Sequence, residues 1–359
     1  MKILYGVQGT GNGHITRARV MAEAFAQRPD VKVDYVFSGR DKTQYFDMQI
    51  FGDYQTYSGL SFKTRGGKIS KYATCKAANI CELVRDIKTL PTCDYDLVIN
   101  DFEPISAWAA KLSNTPSISI SHQAAFLHPI PKHTSTLFDR AITKYFAPTD
   151  IQLGVHWYHF GHPIMPPFID AKELRGAPSR QYLVYLPFED LEDIEGLLDP
   201  LAEYEFICFH PGVTAQRKTG HITWCPVAKD KFARIMQNCS GVIANAGFEL
   251  ASECLHFGKK LLIKPLAGQF EQLSNAQTLV QLGLCLSMCE LDGDIVEDWL
   301  QMPANEPIKF PQNPAILIDW LIAGNWQSVD KLCEQLWQNV CFSPSLGTQL
   351  DNLYCSSRS

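Results

Sequence analysis

The chain has 359 residues, long for one core and comfortable for two domains. With 46% hydrophobic and 19% charged residues it reads as globular, and a net charge of −6 with a pI near 5.9 argues against a general nucleic-acid binder. Twelve Cys without a CxxC pair or a zinc-type His spacing fit reduced thiols in a cytoplasmic protein, and neither a secretory leader nor a membrane-spanning apolar run is expected.

Residues Lys2 to Val7 read as a buried strand. It runs into Gln8-Gly9-Thr10-Gly11-Asn12-Gly13-His14, then a helix from about Ile15 to Gln27 and a second strand from Val31 to Phe37. Gly9 and Gly11 fit the G-x-G-x-x-G dinucleotide fingerprint, but His14 stands at the third glycine, which makes a Rossmann dehydrogenase a distant reading. An imidazole at the mouth of such a loop either packs at the turn or acts as a general base. Seven Lys or Arg (63, 65, 68, 71, 76, 85 and 88) follow, against Glu82 and Asp86. They form a solvated face, or a basic border that suits an anionic acceptor or the anionic lipids of an inner membrane surface, met by Lys63, Arg65, Lys68 and Lys71. A strand from Leu97 to Ile99 has Asp101 at its carboxyl end. A helix (Ser106 to Leu112) and a strand from Pro116 to Ser121, leading to His122-Gln123, come next. A carboxylate and histidines therefore collect at strand ends on one side of one sheet. Asp101 either sits beside His14 or caps the helix after it.

His156, His159 and His162 lie in an aromatic and proline-rich stretch that reads as a domain junction packing on both sides, in preference to a metal site. Strands are predicted at Tyr182 to Pro187, Phe206 to Phe209 and Ile222 to Trp224. A βαβ unit follows: strand Gly241 to Ala244, turn Asn245 to Gly247, helix Phe248 to Phe257 ended by Gly258, and strand Lys260 to Pro265. Ligands of a parallel sheet bind at its strands' carboxyl ends, and here a small-residue turn feeds a helix N-terminus suited to a phosphate. Glu253, one and a half turns into that helix, can accept from a ribose diol, and Glu271, Gln272 and Asn275 add polar groups beyond the next strand. An ordinary crossover with polar loops fits the same spacing. Asp292-Gly-Asp294 and Asp94-Tyr-Asp96 have D-x-D spacing. The first lies between helices and the second precedes its strand, so no metal is expected. Asn313 to Val340 reads as two amphipathic helices with Leu332, Leu336 and Val340 on one face. Residues 341–359 read as a polar, poorly ordered tail.

The stretch Gly247 to Glu253, with Gly268-Gln269-Phe270-Glu271-Gln272 and Asn275-Ala276, resembles the donor-site signature of GT-B glycosyltransferases. It is most similar to family 28 (the MurG-type peptidoglycan enzyme) and family 1 UDP-glycosyltransferases. The resemblance implies an α/β fold of two Rossmann-like parallel-sheet domains facing an interdomain cleft. Residues 1–160 would be the acceptor side, 161–180 a linker, 181–312 the donor domain, and 313–340 helices packing back on the first domain. It implies transfer, with inversion, from a nucleoside diphosphate sugar (a UDP-sugar first) to a glycan, lipid-linked or small-molecule hydroxyl. The nucleotide-sugar is then a substrate, and neither cofactor nor metal is needed.

The same resemblance makes His14 the general base and Asp101 the group orienting it, with Gly11, Asn12, Gly13 and His122 on the acceptor side. The implied donor-binding set is Trp224, Asn245, Gly247, Phe248, Glu249, Glu253, Gln269, Glu271, Gln272 and Asn275. Within it Glu253 holds ribose, Glu271 and Gln272 hold sugar hydroxyls, and Trp224 stacks on the base. Two positions depart from the family-1 pattern: Asn245 replaces a phosphate-binding His, and Val227 replaces a Gln near Trp224. Two other readings stay open. One is a UDP-sugar 2-epimerase, which needs proton-abstracting carboxylates in place of an acceptor loop. The other is a non-catalytic sugar-nucleotide sensor or partner subunit.

Overall fold

The computed structural model describes residues 1–60, 64–65, 68–69, 79–170 and 179–356. Short apolar runs alternate with helices along the chain, a pattern that forces parallel pairing because each strand can be rejoined only by a crossover. The first sheet is built from β1 (Lys2–Gln8), β2 (Lys32–Ser38), β3 (Gln55–Tyr57), β6 (Leu97–Asp101), β7 (Ser117–Ser121), β8 (Ile151–Val155) and β9 (Ile164–Met165). Between β3 and β6, β4 (Thr64–Arg65) and β5 (Lys68–Ile69) form a small separate hairpin. The second sheet contains β10 (Tyr182–Tyr185), β11 (Phe206–Phe209), β12 (Arg217–Thr219), β13 (Ile222–Cys225), β14 (Gly241–Ala244), β15 (Lys260–Ile263) and β16 (Leu286–Ser287). The orders are β3-β2-β1-β6-β7-β8-β9 and β12-β13-β11-β10-β14-β15-β16, with only β12 antiparallel. This is the GT-B fold.

In both sheets the winding reverses between two neighbours, β1 and β6 in the first and β10 and β14 in the second. Such a switch point opens a crevice at the strands' carboxyl ends. Register then places particular residues there: Val7 pairs with Asp101, and Tyr185 with Ala244. All five β6 residues are buried, as a strand covered on both faces requires. The helix Pro104–Ser113 is capped by Glu103, whose carboxylate accepts from the N–H groups of Ile105 and Ser106. Asp101 is therefore not the cap and is left for the cleft. One apolar cluster runs from Tyr5 and Ile99 through Trp157 and Phe248 into Leu317 and Leu332, tying the two domains together. A second covers the other face of the second sheet, around Val184, Leu198 and Trp299.

The last helices return to the first domain. Trp337 donates its Nε1–H to the Ile164 carbonyl at 2.7 Å, and Arg28 pairs with Asp319. Two expectations need correction. The span 161–180 is not wholly linker, because buried Ile164 and Met165 add a strand beside β8. The tail is not loose: Pro344–Ser356 is a helix, and Leu346 and Leu350, four apart on one face, are buried in the core. The aromatic junction does pack on both domains, with Trp157 Nε1 donating to Ser252 Oγ at 2.8 Å. Of the D-x-D pairs, Asp292 caps the helix Gly293–Gln301, and Asp96 accepts from the Lys2 N–H. Of the basic segment, Lys63 and Lys71 lie outside the described residues, as do the side chains of Arg65 and Lys68. Among the described residues no helix is long and apolar enough to cross a membrane.

If the C-terminal helix is part of the core, Leu350→Ala should cost about 2–5 kcal/mol, the range for a buried Leu. Urea unfolding would read this as a shifted midpoint at unchanged slope; an unchanged midpoint would return the segment to a loose tail.

Candidate active site

The first domain contributes its chemistry from β1 and β6. The chain leaves β1 at Gln8, turns through Gly9 to Gly11, and enters the helix Asn12–Phe25, so His14 stands in the first helical turn. Its Nδ1 lies 2.8 Å from Asp101 Oδ1, with the His14 side chain 14% exposed and that of Asp101 fully buried. A carboxylate only accepts, so Nδ1 carries the proton and Nε2 is left with a free lone pair. The other Asp101 oxygen, Oδ2, is 3.2 Å from Arg17 Nε. Arg17 is one turn beyond His14 and is buried. From the same guanidinium, Nη2 reaches Glu249 Oε1 at 2.8 Å, across the cleft in the second domain. A Cβ on Gly13 would come within 2.8 Å of Glu249 Cγ, so the glycine lets the loop lie directly against the opposite helix.

The second domain contributes the helix Phe248–His256, which starts after Gly247 with no side chain capping it. Its first N–H groups and positive dipole end form an anion-binding feature at the carboxyl end of β14. Asn245 in the turn donates Nδ2–H to the Lys264 carbonyl at 2.8 Å and keeps a buried Oδ1 without a partner. The half-buried Glu253 carboxyl is pushed up to about 8, first by burial and then by Glu249 and Asp170 nearby. Burial also pushes Glu249 up, while the Arg17 charge holds it down. Glu271 is half-buried at the start of the helix Phe270–Gln281, with Gln269 at its N-cap.

Several expected binding residues are engaged elsewhere. Trp224 is 0% exposed: alternation along β13 turns it into the outer core, so it offers no face to a base. Gln272 is also buried and accepts from the Leu266 N–H at 2.8 Å, holding the loop before it. Asn275 is fully buried, with Oδ1 2.6 Å from His122 Nε2 and Nδ2–H donated to the Ala246 carbonyl. His122 is therefore an interdomain strut and not an acceptor-facing group. It stacks on Phe248 with ring centroids 3.9 Å apart, and burial lowers its proton affinity. Glu249 is tied to Arg17, so its carboxylate serves the domain interface. The cleft keeps His14, Asp101, Asn245, Gly247, Glu253 and Glu271 together with the turn Gly11, Asn12 and Gly13.

Sequence reasoning missed Arg17 and Gln123. Arg17 stands one helical turn after His14, but nothing in the sequence pairs it with Asp101 or Glu249. Gln123 follows β7 and donates Nε2–H to Glu271 Oε2 at 2.9 Å; nothing in the sequence pairs these distant positions.

Removing Arg17 strands two buried carboxylates, so Arg17→Met should lower stability by about 3–5 kcal/mol, a loss measurable by chemical denaturation. The double variant with Glu249→Gln should recover part of it. Glu253 makes a separate pH prediction. Its folded-state value exceeds the unfolded value of 4.5, so the folded protein holds an extra proton between them. The stability this gives is complete below about 4.5 and is lost as pH rises to about 8. Melting temperatures of wild type should therefore fall relative to Glu253→Gln across pH 5–8 and run parallel above it.

The glycosyl transferase family 1 model matches residues 1–303. No curated protein matches the sequence. The glycosyltransferase SnogD from Streptomyces nogalater superposes with a TM-score of 0.56 at 13% identity, covering 90% of this chain and 99% of that one. SsfS6 from Streptomyces sp. SF2575, solved with thymidine diphosphate, gives 0.54 at 12% identity over 100% of both chains. Acinetobacter baumannii MurG gives 0.51 at 13% identity, covering 83% of this chain and 88% of its own. At such identities these structures speak for the fold alone; the family match covers most of the sequence, and the chain belongs to glycosyl transferase family 1.

Proposed function

We propose that this glycosyltransferase moves a sugar from a nucleoside diphosphate donor, a UDP-sugar first, to a hydroxyl acceptor with inversion at the anomeric carbon. The observation that carries the reading is the His14–Asp101 hydrogen bond, set beside an uncapped helix N-terminus of the other domain. His14 Nε2 takes the proton of the acceptor hydroxyl as its oxygen attacks the anomeric carbon. Asp101 holds the ring and balances the imidazolium that forms. On the opposite face the bond to the diphosphate breaks, and the N–H groups after Gly247 receive the negative charge it carries away. Glu253, neutral at pH 7, can both accept from and donate to the ribose diol. Glu271 binds sugar hydroxyls. The chemistry is proton transfer and charge stabilisation, for which these residues suffice without a metal or cofactor. SsfS6 was solved with thymidine diphosphate, which supports a nucleoside diphosphate donor for this chain.

The test is a thermal-shift screen of UDP, GDP, TDP and ADP against wild type, Glu253→Ala and His14→Ala. One diphosphate should raise the melting temperature of wild type and His14→Ala and leave Glu253→Ala unmoved. With the matching donor, His14→Ala should lose roughly 10²–10⁴-fold in transfer rate. A wild type that responds to none of the four would overturn the nucleotide-sugar reading. Donor conversion without any acceptor would point to an epimerase.

A further inference from the structure

We propose that Gln123, from the first domain, pairs with Glu271 to read two neighbouring hydroxyls of the donor sugar, making Gln123 a specificity-determining residue. This rests on the nucleotide-sugar reading given above. The two side chains come from opposite walls of the cleft. Gln123 lies in the short helix His122–Ala125 at the carboxyl end of β7, and Glu271 opens the helix Phe270–Gln281 beyond β15. Their bond, Gln123 Nε2 to Glu271 Oε2 at 2.9 Å, joins residues 148 positions apart.

Chemistry fixes the orientation of the amide. A carboxylate can only accept, so Gln123 must turn its NH2 toward Glu271, and its Oε1 becomes an acceptor. Gln123 is 7% exposed, and Oε1 is buried without a hydrogen-bond partner. A buried acceptor left unpaired is costly and uncommon in a folded protein. The side chain expected to share the sugar with Glu271, Gln272, is instead engaged with the Leu266 N–H and is buried. Gln123 occupies the role that Gln272 gives up, and it does so from the other domain.

The consequence is a two-sided reader. Gln123 Oε1 and Glu271 Oε1 are both acceptors, so they match two hydroxyl donors on adjacent carbons. A hexose with a vicinal diol at that place fits, and a sugar deoxygenated there leaves one acceptor unsatisfied. Admitting the sugar parts the two walls, which uncovers Oε1, and the hydroxyls then take over from the direct Gln123–Glu271 bond. The neighbouring struts leave this exchange local: His122 to Asn275 and the Pro131 carbonyl to Thr278 hold the flanks.

The test uses Gln123→Met, which keeps volume and removes the acceptor, with UDP affinity measured by calorimetry and kcat/KM for UDP-hexoses and their monodeoxy analogues. UDP affinity should be unchanged, since the proposed contact is to the sugar, which UDP lacks. KM for one hexose should rise about tenfold, the weight of one hydrogen bond. Its matching deoxy analogue, already lacking the hydroxyl, should lose nothing further. Gln123→Asn, shorter but polar, takes the place of the Met variant if that protein melts early. Equal losses for the hydroxyl and deoxy donors, or no loss at all, would overturn the assignment while leaving the donor site intact. Absence of UDP binding in wild type would instead bring down the donor-site reading, and this inference with it.

Discussion

A single guanidinium sits between two carboxylates that belong to different domains. Arg17 holds Asp101 on one side and Glu249 on the other, all three largely out of water. Charges this deep are costly unless opposite charges lie within reach, so the position of each group is constrained by the other two. Asp101 in turn selects the tautomer of His14. Glu249 sits in the first turn of the helix whose N-terminus faces the cleft. The orientation of His14 and the placement of the opposing helix are thereby both tied to one buried cation that faces an acidic group from each domain.

The two sheets divide the chemistry by kind. The first brings titratable side chains to its switch point, where a proton can be taken up. The second brings an uncapped helix N-terminus to its own, with Glu249 and Glu253 on the same helix. The walls are joined by the Arg17–Glu249 ion pair, by hydrogen bonds linking His122 to Asn275, Trp157 to Ser252 and Gln123 to Glu271, and by the apolar cluster that runs through both domains.

Most of the architecture was legible because apolar runs, glycine stops and the alternation of strand and helix are local signals. β11 and β14 fell on the expected residues, and His14 and Asp101 met because one opens the helix after β1 and the other ends β6, its neighbour at the winding reversal. What could not be read is which way a side chain turns. Trp224 belongs to a correctly expected strand, but only the sheet's second covered face shows that alternation buries it. Gln272 and Asn275 have the residue types of a sugar site, yet a nearby loop N–H and a histidine from the other domain claim them first. Arg17 was invisible for the same reason, since its two partners lie 84 and 232 positions away (101 − 17 and 249 − 17). The C-terminal helix was missed differently. Its Leu346 and Leu350 carry the right spacing, but the polar residues around them masked it.

The return of the last helices to the first domain bears on how the chain is made. Asp319 and Trp337 complete a surface whose other half, Arg28 and Ile164, lies far earlier in the sequence. During synthesis the first domain leaves the ribosome with that apolar face bare, and it stays bare while the whole second domain is translated. Domains fold in order of emergence, and uncovered faces invite misassembly. Cotranslational folding of the first half therefore ends in an unfinished intermediate, one that depends on the final helices, or on a chaperone holding their place, to become soluble in its own right.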